Sequence, residues 1–486
     1  MDATNLADHP VLRDEKFLKI VFNFPHVGGK MKIHLNRTLL RNFFVSAGNC
    51  VYTDGKVVVT LCRGQGGTKF DAPIRRWDDT WQIVEMAAQG NFVLESVESF
   101  DRELFPDYCS VGYRGGNSAF HTEGAVVHVF SKRDPLFLNM GFEDILKCTG
   151  DQILGTRFGK VKLSSVCYKM YRNNPFHRKG SIIQFFSEEL KTAVEIYGCK
   201  VRQISDDNVA LYCKASSGGP CCSVEGEKSE AFLRHNLLET IENFFNIEND
   251  TNVLMFPGLV FNELTKDFSQ PPVSCQILLA GHATPVLIKH YINILAVKFK
   301  KCIDIAILDE TCIGFQKLSS MEEVFIQDEK SVCVRDGDKF TVVAHVFSVR
   351  SVSVCVIYPE KLSELFFNIE NWRQLWSTNS FVIGICLPLV RLACLDSVVH
   401  MLDITFSESA QFTEARFFDT LWNLAAFIIT HVELQSVYES PEGWTSRCYR
   451  ITYQSFDRPL SRLKAIQIQE KILARVLELQ LGVTLR

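Results

Sequence analysis

The stretch that most constrains this chain lies near its carboxyl end. From Arg447 to Tyr453, apolar and polar side chains alternate, Cys448 against Tyr449 and Ile451 against Thr452. A period of two is the signature of a strand with one buried face. Asp457-Arg458-Pro459 ends it, and apolar positions at helical spacing follow from Ser461 through Ile466, Ile472, Leu473, Val476 and Leu477. A strand carrying arginines and tyrosines and braced by a helix suits a surface that meets a polyanion.

The neighbouring elements give that strand its place. Val399–Phe406 alternates as a strand, Thr413 caps a helix through Trp422, and Ile428–Val437 reads as a second strand. The turn Pro441-Glu442-Gly443 leads into the opening strand, and Gly482–Arg486 is a short last one. The order is β-α-β-β-α-β, the split ferredoxin-like arrangement, over 397–486.

At 486 residues the chain has room for two to four domains. Its 47% hydrophobic and 22% charged residues are those of a folded protein. A net charge of −4 excludes a globally basic nucleic-acid binder, so any polyanion must be met by local patches. The 17 cysteines include no CxxC pair, so no zinc or other metal site is expected. They read as buried thiols in a reducing compartment, which places the protein in the cytoplasm, nucleus or nucleolus. The most apolar run, Phe381–Leu395, contains Pro388 and Arg391 and is too short for a membrane span, so no membrane partner is expected.

The front of the chain reads as an open α/β sheet. Phe17–His26 is a near-continuous apolar run, the mark of a buried, parallel strand, and ends in Pro25 before Gly28-Gly29. Leu39, Leu40, Phe43 and Phe44 have helical spacing, Lys56–Cys62 is a second buried strand, Trp81–Ala88 is a helix stopped by Gly90, and Phe92–Val97 is a further strand. In such sheets ligands bind beyond the carboxyl ends of the strands, here at Asn23-Phe24-Pro25-His26.

Those residues carry a resemblance. Phe22–Gly28, Asn36-Arg37 with Leu39-Leu40 and Phe43-Phe44, Gly55–Leu61 and Phe105-Pro106-Asp107-Tyr108 resemble the large-subunit rRNA uridine-N3 methyltransferases over about 1–135. The resemblance implies an S-adenosylmethionine-dependent, Rossmann-like domain. It makes Asn23, Phe24, Pro25 and His26 the catalytic turn that grips an extruded base, His26 being able to take a proton from a uridine imide. Asp2, in Asp2-Ala3-Thr4, would meet the cofactor adenine. The same turn also suits a plain strand end with a surface histidine. The family's glycine-rich cofactor loop and first two strands are expected before Asp2 and are absent, so the chain reads as an amino-terminally truncated form. Gly64-Gln65-Gly66-Gly67 resembles a phosphate cradle but reads better as a flexible loop.

Between 136 and 396 a mixed α/β region is expected, with a helix over Ala231–Phe245 and strands at Ile277–Leu279, Ile303–Leu308 and Thr341–Val349. The hexapeptide Phe-Phe-Asn-Ile-Glu-Asn occurs twice, from Phe244 and from Phe366, too few copies for a solenoid.

The tail, through Thr445-Ser446, Cys448-Tyr449-Arg450, Asp457-Arg458, Leu460 and Gly482-Val483, resembles the ferredoxin-fold anticodon-binding domain of phenylalanyl-tRNA synthetases. That resemblance implies RNA, tRNA or rRNA, as partner, with Arg447, Tyr449, Arg450 and Arg458 as contacts. Ser397–Met401 stands where the family has a Tyr-Pro-Pro and an aromatic-rich strand. Two functions therefore compete: an RNA base methyltransferase with an RNA-docking tail, and a non-catalytic RNA-binding or adaptor protein.

Overall fold

The computed structural model describes residues 2–6, 8–28, 32–104, 122–137, 140–214, 218–227, 230–244, 252–281, 284–309, 326–349, 352–369, 371–377 and 397–486. Phe105–Tyr108, the first hexapeptide copy beyond Phe244 and the run Phe381–Leu395 lie outside them. The chain forms two compact units, one of Met1–Ile145, Val390–Phe417 and Phe427–Arg486, the other of Leu146–Leu389 and Phe418–Ala426. It is a mixed α/β protein with several sheets.

In the front of the first unit, β1 (Phe17–Asn23), α1 (Ile33–Cys50), β2 (Val51–Leu61), α2 (Ile83–Gln89), β3 (Phe92–Ser99) and β4 (Val126–Lys132) follow in turn. The strand order is β1-β2-β4-β3. β1 and β2 are parallel with α1 as their crossover, and the other pairs are antiparallel. Two details differ from expectation. β1 is parallel but not buried: among the described residues only β2 pairs with it, and Leu18 and Val21 are 68% and 52% exposed. An apolar run is necessary for a buried strand, but it does not supply the second neighbour that buries it. The helix expected from Trp81 starts at Ile83 because Gln82 takes a left-handed φ of 52°.

The second unit carries α3 (Ile182–Ile196), β5 (Lys200–Gln203), β6 (Asn252–Phe261), β7 (Val273–Ala280), α4 (Thr284–Lys298), β8 (Asp304–Asp309), β9 (Ile326–Asp336), β10 (Lys339–Val349), β11 (Val352–Ile357) and α5 (Pro359–Phe367). Its seven-stranded sheet runs β8-β9-β10-β11-β7-β6-β5, with β5 and β6 parallel and the rest antiparallel. Leu254, Phe256, Leu278, Phe347 and Val354 are in its core. The helix expected over Ala231–Phe245 is a short strand, Ala231–Leu233, and a 3₁₀ helix, Leu237–Phe244. Between them Arg234 is buried against Asp206 and donates through Nε to the Leu259 carbonyl at 2.7 Å. The Arg234 N–H also donates to the Leu211 carbonyl at 2.9 Å, and helical spacing alone does not reveal these distant partners. The second hexapeptide copy ends α5, with Asn368 left-handed, and Asn371 Oδ1 accepts the Arg373 N–H at 3.1 Å.

The tail comprises β12 (His400–Ser407), α6 (Glu414–Ala425), β13 (Ile429–Glu439), β14 (Thr445–Tyr453), α7 (Arg462–Ile468), a π-turn (Gln469–Leu473), α8 (Ala474–Leu481) and β15 (Thr484–Leu485). This is the β-α-β-β-α-β element order of the sequence reading. The antiparallel sheet runs β13-β14-β12-β15, which makes the opening strand, β14, an interior one.

Candidate functional site

The turn after β1 is built by its neighbours. The Thr60 hydroxyl on β2 donates to Asn23 Oδ1 at 2.7 Å, and Asn23 is exposed. Phe24 holds a φ of 50°, is 8% exposed, and packs edge-on to Phe100 at 5.3 Å. Its N–H donates to the Thr60 carbonyl at 2.9 Å. A left-handed phenylalanine costs of order 1–3 kcal/mol unless its surroundings fix it, and backbone strain of this kind concentrates at functional sites. Pro25 is buried.

His26 is half-buried, its ring 5.8 Å from that of Trp81. The Gly28 N–H donates to its Nδ1 at 2.7 Å. A nitrogen that accepts carries a lone pair, so the neutral ring keeps its proton on Nε2. Burial lowers the His26 pKa and favours that neutral form. In this geometry His26 is a hydrogen-bond donor. In this tautomer Nδ1, the basic nitrogen that would take a proton from a uridine imide, is engaged by the Gly28 N–H.

Two residues that carried the resemblance without an assigned role, Asn36 and Arg37, hold the turn in position. Asn36 Oδ1 accepts the Val27 N–H at 3.0 Å. Arg37 donates through Nε and Nη2 to the Thr80 carbonyl at 2.9 and 2.7 Å, and through Nη2 to the Asp78 carbonyl, fastening the 62–82 loop. Their adjacency at the start of α1, facing the strand-ending Pro, was the available signal.

The Gly64–Gly67 segment is a hydrogen-bonded loop, and its described bonds do not form a phosphate cradle. The Gln65 and Gly66 carbonyls accept the Trp81 and Ile83 N–H groups at 2.7 and 3.0 Å. The Gly66 and Thr68 N–H groups donate inward to Asp71, at 3.4 and 2.8 Å. A cradle needs outward-facing amides, and these are spent within the loop.

Asp2 caps a 3₁₀ turn at Ala3–Asn5. Its Oδ1 accepts both the Thr4 N–H (2.9 Å) and the Thr4 hydroxyl (2.7 Å), and these bonds lower its pKa. Asp2 thus caps its own turn.

In the tail, Tyr449 is 1% exposed. Its ring stacks on Phe417 at 4.5 Å and Phe406 at 6.0 Å, and its hydroxyl donates to Glu414 at 3.3 Å. The expectation that Tyr449 contacts RNA is corrected, since the pleat sends Tyr449, Ile451 and Tyr453 into the core. Arg450 lies on the open face, bidentate to Asp403 at 2.7 and 2.8 Å, with Glu433 opposite it on β13. Arg447 pairs with Glu408. Arg458 donates to the Asp134 carbonyl at 3.2 Å. Every arginine expected to read a polyanion therefore has a partner inside the protein.

Residues 1–112 match the family model described as rRNA (uridine-N3-)-methyltransferase BTM5-like. Over 548 aligned residues the chain is 25% identical to ferredoxin-fold anticodon-binding domain-containing protein 1 of Homo sapiens, covering 97% of this chain and 88% of the relative. The chain is a homologue of that protein. The Mus musculus homologue is 24% identical over the same shares. Heavy metal-associated isoprenylated plant protein 41 of Arabidopsis thaliana is 31% identical over 114 residues, 22% of this chain and 20% of that one. A solved pyrrolysyl tRNA synthetase of Desulfitobacterium hafniense aligns with 45% of this chain and 80% of its own at 12% identity and a TM-score of 0.29.

The methyltransferase-like match implies S-adenosylmethionine in members of that family. Of the described residues that could meet it, Asp2 gives Oδ1 to Thr4, and the Gly66 and Thr68 N–H groups donate inward to Asp71. No cradle for the cofactor is assembled among them.

Proposed function

We propose that this chain is an RNA-binding protein whose methyltransferase-like front holds a base without transferring a methyl group. The observation that carries this reading is the turn at the carboxyl end of β1. Asn23 is fixed through its oxygen by Thr60, and His26 through Nδ1 by Gly28. With its oxygen held by Thr60, Asn23 presents its amide N–H groups as donors, which complement a carbonyl oxygen of a uracil ring in a single-stranded segment. The anticodon-binding domain in the relatives' name supports tRNA as the RNA, and the BTM5-like match supports rRNA. The tail, with its arginines paired internally, then serves docking through shape more than charge. Cytoplasmic or nucleolar residence belongs to the same reading.

Fluorescence anisotropy with labelled uridine-rich and adenine-rich single strands, tRNA and rRNA fragments tests it. Saturable binding that prefers uridine and weakens with salt is expected. Equal, unmeasurable affinity for all of them overturns the reading. A second reading, methyl transfer to uridine N3, is favoured by the family match spanning this turn. Incorporation of labelled methyl groups from S-adenosylmethionine into bound RNA would establish it in place of the first.

A further inference from the structure

The second unit holds a cavity of about 610 Å³, the size of a small-molecule site. Its floor comprises residues of β6, β7 and β10, and its wall is the start of α5. Where the ladder between β7 and β11 stops at Ile277–Ile357, Glu360 takes over. Its Oε1 accepts the Cys275 N–H at 3.0 Å. Burial raises the Glu360 pKa to about 7, against the lowering effects of the Cys275 N–H, Lys361 and the Ser274 hydroxyl.

The cavity's charges are unevenly matched. Lys339 and Lys361 both reach Glu364, at 2.6 and 3.2 Å. Glu329 and Glu360 also line the space, and no ion pair among the described residues reaches Glu360. Gln276, 7% exposed, gives its Oε1 to the Leu237 N–H at 2.9 Å, and its amide nitrogen has no hydrogen bond among the described residues. Phe340 at the rim is 61% exposed.

We infer that this cavity binds a small molecule carrying both a protonated amine and a carbonyl acceptor. The ammonium meets the Glu360 carboxylate, the carbonyl accepts from Gln276 Nε2, and any apolar substituent lies against Phe340. Nothing in the proposed RNA function requires this site, so the two can fail separately.

Calorimetry on the full chain with glycinamide, leucinamide and phenylalaninamide tests it, each beside its N-acetylated form. At least one free amide is expected to bind at least tenfold tighter than its acetylated form. E360Q should abolish that difference, with unchanged circular dichroism. At pH 7 the binding heat should vary with the buffer's ionisation enthalpy, because the ammonium displaces the Glu360 proton. That readout and the acetylation comparison use unmodified protein, so they decide even if E360Q misfolds. Equal binding of free and acetylated forms, no binding at millimolar concentration, or a folded E360Q that keeps the preference overturns the inference.

Discussion

The carboxylate of Glu85, on α2, accepts the backbone N–H of Arg462 at the first turn of α7, at 3.1 and 3.2 Å through its two oxygens. Within the first unit this ties the methyltransferase-like front to the anticodon-binding-like tail. His400 Nε2 lies 3.6 Å from the same carboxylate and 3.0 Å from the Leu460 carbonyl, and Gln89 donates to Glu85 at 3.3 Å. A carboxylate at a helix amino terminus complements the helix dipole. Burial nevertheless raises the Glu85 pKa to about 7, the Arg462 N–H, Gln89 and the Arg462 charge lowering it less.

The sign of the resulting pH effect is fixed. Glu85 in the folded chain holds its proton up to about pH 7, whereas the unfolded chain releases it near 4.5. The folded state therefore binds more protons between those values, and stability falls as pH rises through that window. Glu360 titrates in the same window and adds to the fall. E85Q keeps an acceptor for Arg462 and removes the charge. Urea unfolding from pH 4.5 to 8 should show a flatter profile for E85Q, and greater stability than wild type at pH 8. An unchanged slope would mean that Glu85 is not the titrating group.

Tyr449 separates a structural role from an RNA contact. Y449F deletes only the hydroxyl that meets Glu414 at 3.3 Å. Y449A empties a site between Phe417 and Phe406 and should cost about 3–5 kcal/mol, the range for aromatic truncation in a core. Urea unfolding should show that order, and Y449F should bind RNA as wild type does. Loss of affinity in a stable Y449F would restore Tyr449 as a contact.

The open face of the tail makes an opposite prediction. Arg450 and Asp403 form an exposed pair, and such pairs contribute little to stability. R450A should leave the unfolding midpoint in place. It should also leave RNA affinity within twofold, because the guanidinium is already neutralised by Asp403 with Glu433 alongside. A tenfold loss by anisotropy would assign the face to RNA.

These contrasts show how much was legible in the chain. The tail's element order was readable because each element there is short, amphipathic and bounded by a Pro, Gly or cap residue. Partnering was not: the alternation 447–453 marks two faces without saying which is buried. Inspection of Tyr449 and Arg450 alone leaves both as candidate contacts, and only the pairing of β14 with β12 and the packing of Phe417 decide. The tautomer of His26 was hidden for a different reason, since it depends on Gly28 two residues on, in a turn whose geometry spacing does not encode. Arg234 and Glu360 are charged residues whose burial depends on distant partners, and no local pattern announces them.

Gly90 is the place where a readable signal had a second cause. The sequence marks it as a helix stop, and it does cap α2, its N–H donating to the Ala87 carbonyl at 2.9 Å. Its φ of −92° is open to any residue. The constraint is space: a Cβ there would meet the Phe44 carbonyl carbon and oxygen at 2.5 Å. Those are backbone atoms of α1, which cannot turn aside as a side chain could. G90A should therefore separate α1 from α2 and destabilise the chain by about 1–3 kcal/mol, as overpacking does, although alanine is the better helix former. Thermal unfolding of G90A beside Q89A, which changes the adjacent residue without filling that contact, checks the prediction. Equal midpoints for G90A and wild type would show that α1 and α2 can move apart without cost.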